Sequence, residues 1–312
     1  MSRWVGLSVA AGLLSALLFL SVMAGVSAGF LLSYVAPLPV LMAGLSLGPY
    51  GAAVASLVGI IAVWAGTGGF TAMAYGLAVA LPALVVSRQA LLWRQELDQP
   101  VEWYPPGMVL AWLTLSGLVL MLGLGFVLPV SDEGIEASVR VMVERGVSAL
   151  ASSWGENERA ALTESWVALF PALIGASWLA MATINAVLAQ GLLVKIKQAR
   201  RTSPAYSALE LPDWLLGVLV AAGLVGVAAG GDFGYVGRNI AALLAIPFGM
   251  QGLSLVHGAI RRRPNQRFLF VAFYTVFILA FGWMVIVAIA IGLGRQLMRL
   301  RRHMAVGSGK ED

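Results

Sequence analysis

Asn185 and Gln190 lie in one apolar run, and Asn239, Gln251 and Ser254 in another. Inside lipid such side chains must find hydrogen-bond partners, which either a neighbouring helix or a bound ligand can supply. Acid–base chemistry has less to work with. Ionisable residues at mid-span are costly and are kept for function. None falls there: Arg88 ends a run, Asp232 and Arg238 stand in a connection, and His257 comes four residues before Arg261. A proton-coupled pump built on an intramembrane carboxylate is therefore not expected. His257 and His303 are the two histidines and cysteine is absent, so metal clusters, disulfides and thiolate catalysis have no ligands or nucleophile. Serines are many but bases are few, so a serine nucleophile is not expected. The triplet Asp232-Phe233-Gly234 matches the magnesium-binding triplet of kinases, but lysines occur only at 195, 197 and 310. Without the partner lysine and catalytic aspartate the triplet reads as a tight turn at the water boundary. No P-loop is present, and the chain is expected to be non-enzymatic and without a cofactor.

The elements that must position these groups are membrane helices. Of the 312 residues 60% are hydrophobic and 11% charged, and the mean hydropathy is +0.87. Apolar windows long enough to cross lipid recur at 5–24, 30–47, 51–67, 71–88, 107–130, 166–193, 213–231, 238–260 and 267–294. The expected fold is an all-α, polytopic integral membrane helix bundle with eight or nine transmembrane segments. It divides into a four-helix half, residues 1–92, and a second half, 93–312, carrying an acidic external segment at 131–165. The apolar run that follows Arg3 is too long for a signal-peptide core, so Val26-Ser27-Ala28 is not expected to be cleaved.

Basic residues in short loops set orientation. Lys195, Lys197, Arg200 and Arg201 form one cluster, and Arg261, Arg262, Arg263 and Arg267 another; both are expected in the cytoplasm. Asp132, Glu133, Glu136, Glu144, Glu156, Glu158 and Glu164 lie outside with Arg140, Arg145 and Arg159. Arg295, Arg299, Arg301 and Arg302 break the parity. Either 267–294 is a re-entrant hairpin or two short passes, or a weak segment such as 213–231 does not cross. The net charge of +5 resides in these loops, so lipid rather than nucleic acid is the expected partner. Arg261, Arg262, Arg263 and Arg267 would meet anionic lipid or another membrane or peripheral protein. Ile135, Val139, Met142, Val143, Val147 and Leu150 follow a helical spacing, which suits a helix lying on the membrane surface with its stripe in the headgroups; a lid over an external opening is the sharper alternative. Trp4, Trp93, Trp103, Tyr104 and Trp214 fall at segment ends as interfacial anchors.

Residues 36–59, APLPVLMAGLSLGPYGAAVASLVG, contain Pro37, Pro39 and Pro49 and no charge. Gly51, Ala55 and Gly59, like Gly44 and Gly48, repeat every four residues, the spacing of a close helix seam. Pro37 and Pro39 are expected to hold an extended chain entering the span and to frame a small pocket. Pro37-Leu38-Pro39, Gly44 and Gly48-Pro49-Tyr50-Gly51 resemble the N-terminal half of substrate-binding S-components of energy-coupling factor transporters. Together with Phe170-Pro171-Ala172-Leu173, Asn185, Asn239 and Gln251-Gly252-Leu253, most of the chain resembles the YybS-like family of bacterial membrane proteins. That resemblance implies a multi-pass protein of the bacterial inner membrane. The leading expectation is a transporter-type subunit binding a small solute through Pro37, Pro39, Tyr50, Asn185, Asn239 and Gln251; the other is a scaffold for envelope or cell-shape machinery. A polar-lined cavity among the first four helices and Asn239–Gln251 would favour the first, and a packed interior the second.

Overall fold

The computed structural model describes residues 3–23, 25, 28–127, 134–205 and 209–308. The chain forms two compact units, one of Met1–Ser116 with Ser177–Pro204, the other of Gly117–Ala176 with Ala205–Asp312. Helix is the dominant element. Among the described residues eight helical spans are long and apolar enough to cross a membrane: Arg3–Leu20, Gly29–Leu47, Pro49–Thr67, Gly69–Ala90, Pro106–Gly123, Phe170–Lys195, Gly231–Arg261 and Phe281–Arg302. Residues 26, 27 and 128–133, which include part of the expected cleavage motif and Asp132 and Glu133, lie outside the described residues.

In the first unit α1 (Arg3–Leu20) packs on α3 (Pro37–Leu47) and α4 (Pro49–Thr67). Gly48, at φ 102°, joins α3 to α4, a conformation that favours glycine, and Pro49 follows at the first helical position, where a missing N–H removes no helix bond. A short helix, α5 (Gly69–Tyr75), leads through a π-helical turn, Gly76–Ala80, into α6 (Leu81–Ala90). The small-residue seam exists but serves several partners. A Cβ on Gly12 of α1 would lie 2.3 Å from the Ala55 carbonyl oxygen, one on Gly44 1.9 Å from Ser87 Oγ, and one on Gly59 2.1 Å from the Tyr75 hydroxyl. Val40, Leu41, Ala52, Ala55, Val63, Tyr75, Val79 and Ala83 fill this interior and are fully or almost fully buried. Two-residue strands, β1 (Trp93–Arg94) and β2 (Glu102–Trp103), pair antiparallel beyond α6.

Pro37 and Pro39 do not introduce an extended stretch. Ala36 has φ −56° and ψ −34°, and both prolines lie in the first turn of α3. They interrupt the span Gly29–Leu47 into α2 (Gly29–Tyr34) and α3. The reason is local: a proline takes helical φ readily near a helix start but cannot donate to the preceding turn.

In the second unit α8 (Ile135–Leu150) follows α7 (Pro106–Val127), whose first half belongs to the other unit. The apolar stripe expected to face headgroups is divided: Met142 and Leu150 are 38% and 87% exposed, while its valines turn inward. Val139, Val143 and Val147 are buried with Val167 of α9 (Glu156–Val167) and with Tyr235, because a second helix offers drier cover than a hydrated interface. Arg140 pairs with Glu164 across the two helices, and this contact raises the affinity of the guanidinium for its proton while holding the Glu164 carboxyl below its ordinary value.

Helix α10 (Phe170–Lys195) enters the first unit at Ser177. The stretch 230–239, with Asp232-Phe233-Gly234, is not the expected tight turn: after Gly230 it opens α12 (Gly231–Arg261). Asp232 in that first turn accepts the Ile135 N–H at 2.8 Å. Helix α11 (Asp213–Ala228) meets α12 so closely that a Cβ on Gly237 would lie 2.7 Å from the Gly226 nitrogen. The expected segment 267–294 is split. Helix α13 (Gln266–Leu279) ends at Ala280, and α14 (Phe281–Ser308) begins after it. A Cβ on Gly252 would lie 1.9 Å from the Ala288 oxygen, and one on Gly292 1.9 Å from the Phe248 oxygen, so α14 runs antiparallel to α12. Helices α11 and α13, with 16 and 14 residues, are about 24 and 21 Å long, short of a roughly 30 Å hydrocarbon core.

Candidate functional site

The predicted contact residues fall in both units: Pro37, Pro39, Tyr50 and Asn185 in the first, Asn239, Gln251 and the Arg261–Arg267 cluster in the second. In the first unit the break between α2 and α3 gathers three of them. Pro37 and Pro39 have no N–H, and the Leu38 amide turns back to Val35 at 3.0 Å. The Tyr34 carbonyl receives Asn185 Nδ2 at 2.8 Å, and the same nitrogen donates to Met181 at 2.8 Å. Ser15 Oγ donates to the Ala36 carbonyl at 2.6 Å and accepts from the Tyr75 hydroxyl at 2.8 Å. Thus Asn185 and Ser15, reaching in from α10 and α1, satisfy backbone groups at a proline-broken helix, as buried carbonyls require. Tyr50 does not join them; it is 83% exposed.

Two arginines of the 195–201 cluster have a similar task. Arg200 Nε donates to Ser46 O at 2.7 Å, and Arg201 Nη1 to Ala90 O at 2.8 Å, each at the C-terminal end of a helix where carbonyls lack intrahelical donors. The Arg201 guanidinium stacks 5.6 Å from the centre of the Trp103 ring, so Trp103 is more than an interfacial anchor. Gly44-Leu45-Ser46-Leu47-Gly48 has the G-x-S-x-G spacing of a nucleophile elbow. It lies at the end of α3, and Ser46 Oγ donates to Met42 O at 2.6 Å, a helical packing bond rather than a strand-to-helix turn.

In the second unit Asn239 holds the junction of α9 and α10. Its Oδ1 accepts the Ala172 N–H at 3.0 Å, and its Nδ2 donates to Ala168 and Tyr235 carbonyls at 3.1 and 3.0 Å. Gln251, twelve residues on and about 18 Å along α12, donates to Leu209 O at 3.2 Å. Sequence reasoning missed its counterpart on α14. Gln296 donates to Leu211 O at 3.3 Å and to Asp213 Oδ1 at 2.6 Å; Arg299 bonds Asp213 and Leu211, and Arg295 reaches Glu210 at 3.4 Å. The segment 209–213 is thereby laced to both helices. The available signal was the spacing Gly292-x-x-x-Gln296, a small residue and an amide on one helix face.

Three acceptors of these amides are buried without a partner: Asn185 Oδ1, Gln251 Oε1 and Gln296 Oε1. Arg261, Arg262, Arg263 and Arg267 are exposed. His257 contacts Leu253 O through Nδ1 and the Tyr274 hydroxyl through Nε2, both at 2.7 Å. No group of three or more His, Cys, Asp or Glu suited to a metal occurs among the described residues. A cleft of about 400 Å³ at the β1–β2 hairpin is lined by Arg94, Glu96, Gln99, Pro100, Val101 and Glu102, none of them a predicted contact residue.

Apolar spans whose scattered amides mend breaks in neighbouring backbone define a polytopic helical membrane protein. The chain belongs to the family described as predicted membrane protein (DUF2232), whose model matches residues 13–294. No curated protein and no solved structure matches it.

Proposed function

We propose that the protein is a non-enzymatic subunit of the bacterial inner membrane, a scaffold for cell-envelope or cell-shape machinery that acts through its surfaces. One observation carries this reading: Asn185, Asn239 and Gln251, the amides best suited to line a solute site, each donate to the protein's own backbone carbonyls. The packed interior of the first unit agrees with it.

A transporter-type, solute-binding subunit is the second reading. It is favoured by the buried, partnerless Asn185 Oδ1 and Gln251 Oε1 and by the interrupted span Gly29–Leu47, since broken helices with free acceptors suit coordination of a solute or ion. The likeness of residues 37–51 to energy-coupling factor S-components supports the same reading, while the YybS-like resemblance is neutral between the two.

Purification from native membranes in mild detergent, with mass spectrometry of all co-purifying species, separates them. The scaffold reading expects a protein partner in near-equal amount and no small molecule at that level. A solute recovered in stoichiometric amount, and lost from Asn185→Leu, replaces it with the transporter reading.

A further inference from the structure

We propose that Arg261, Arg262, Arg263 and Arg267 form a site for anionic phospholipid headgroups that anchors α13 in the membrane interface. This inference is independent of which reading of the overall function holds. Charge complementarity comes first. Elsewhere in the second unit, Arg140 pairs with Glu164, Arg238 with Glu136, Arg295 with Glu210, and Arg299 with Glu210 and Asp213. Arg261, Arg262, Arg263 and Arg267, within seven residues, are exposed and make no ion pair or side-chain hydrogen bond among the described residues. Arg145, Arg159, Arg301 and Arg302 are also without an ion pair among the described residues, but no other stretch of the unit gathers four such arginines so closely. Guanidinium groups match phosphate oxygens in charge and in fork geometry, and basic segments beside spans are drawn to anionic leaflets.

The helix that follows identifies the phosphate carrier as a lipid. Helix α13 has no buried residue, and Phe268, Val271, Ile278 and Leu279 are between 66 and 83% exposed. At about 21 Å it is too short to span, and water is no solvent for it. Its tie to α12 is narrow: the His257–Tyr274 hydrogen bond, with Phe270 and Phe273 against the imidazole. An acidic protein would satisfy the arginines and leave this apolar surface uncovered. A phospholipid supplies the phosphate and the acyl chains together.

The test uses the full chain in nanodiscs of phosphatidylcholine mixed with phosphatidylglycerol, with native mass spectrometry counting the lipids retained after release. The wild type is expected to keep phosphatidylglycerol preferentially. Replacing the arginines (Arg261→Gln, Arg262→Gln, Arg263→Gln, Arg267→Gln) should cut that preference by on the order of fivefold per side chain removed. The control Arg145→Gln, at an exposed position on α8 outside the eight apolar spans, should keep it. Hydrogen exchange across 262–274 should slow with phosphatidylglycerol and not with phosphatidylcholine alone. If the fourfold variant does not fold, a salt titration of the wild type decides, because a headgroup contact weakens with ionic strength. Equal retention of both lipids, a preference unaffected by salt, or protection of 262–274 by polyglutamate but not by phosphatidylglycerol overturns the proposal; the last assigns the surface to an acidic protein.

Discussion

At the scale of single residues, the molecule depends on a few positions where two backbones touch or one amide serves several partners. Gly252 and Gly292 are the clearest. Any side chain there enters a facing carbonyl, and overpacked cores lose about 1–3 kcal/mol. Gly252→Val should lower the melting temperature in detergent by several degrees, whereas Gly217→Ala, with nothing within 4 Å of its added Cβ, should leave it within error. Asn239 is the second case, since its amide meets three backbone groups. Asn239→Leu leaves the buried Ala172 N–H without its acceptor, a loss of about 1–3 kcal/mol, while the Ala168 carbonyl, on an exposed residue, can turn to other donors. Tyr50→Ala, at an exposed site, should cost under about 0.5 kcal/mol. Equal melting temperatures for the two variants would remove the structural role assigned to Asn239. Sequence marked Asn185, Asn239 and Gln251 as polar groups needing partners, but not that these would include backbone groups at the α2–α3 break, the α9–α10 junction and the loop before α11. Such breaks depend on where the chain is packed, not on residue type.

Among elements, the α8–α9 pair responds to pH in a defined sense. The hydrogen bond from Arg140 holds the Glu164 carboxyl below its ordinary value of 4.5. Its contribution is therefore complete above that value and is lost as pH falls through the lower folded one. Hydrogen exchange across 135–167 should be unchanged between pH 7 and 5 apart from the intrinsic rate, then accelerate below about 4.5. Arg140→Gln should weaken protection already at neutral pH and flatten that dependence. The spacing of Val139, Val143 and Val147 was legible as a helix with one apolar face. What covers that face was not, because α9, itself weakly patterned, and Tyr235, far along the chain, supply the cover. Likewise the parity of the basic loops raised a division of 267–294 as one of two possibilities but not its place: Ala280 carries no turn signal of its own, and Gly282 follows two residues later, inside α14.

For the whole molecule, membership of a membrane family and eight apolar spans among the described residues make one expectation direct. The protein should stay with the membrane pellet through alkaline carbonate and high salt and be released only by detergent; recovery in the washed supernatant would contradict it. Sequence alone determined this much, and with it the helical class, since a long uncharged run in lipid can satisfy its own peptide groups only as a helix. Composition also set the poverty of catalytic groups, and small residues at four-residue spacing announced close seams. Tertiary structure decided which helices share those seams, that Pro37 and Pro39 break a span rather than precede it, and that Gln296, Arg200 and Arg201 bind carbonyls distant in sequence. The reason is range: hydropathy and helical period act within one or two turns of chain, whereas an unsatisfied carbonyl is met by whichever side chain the packing of distant helices brings within about 3 Å.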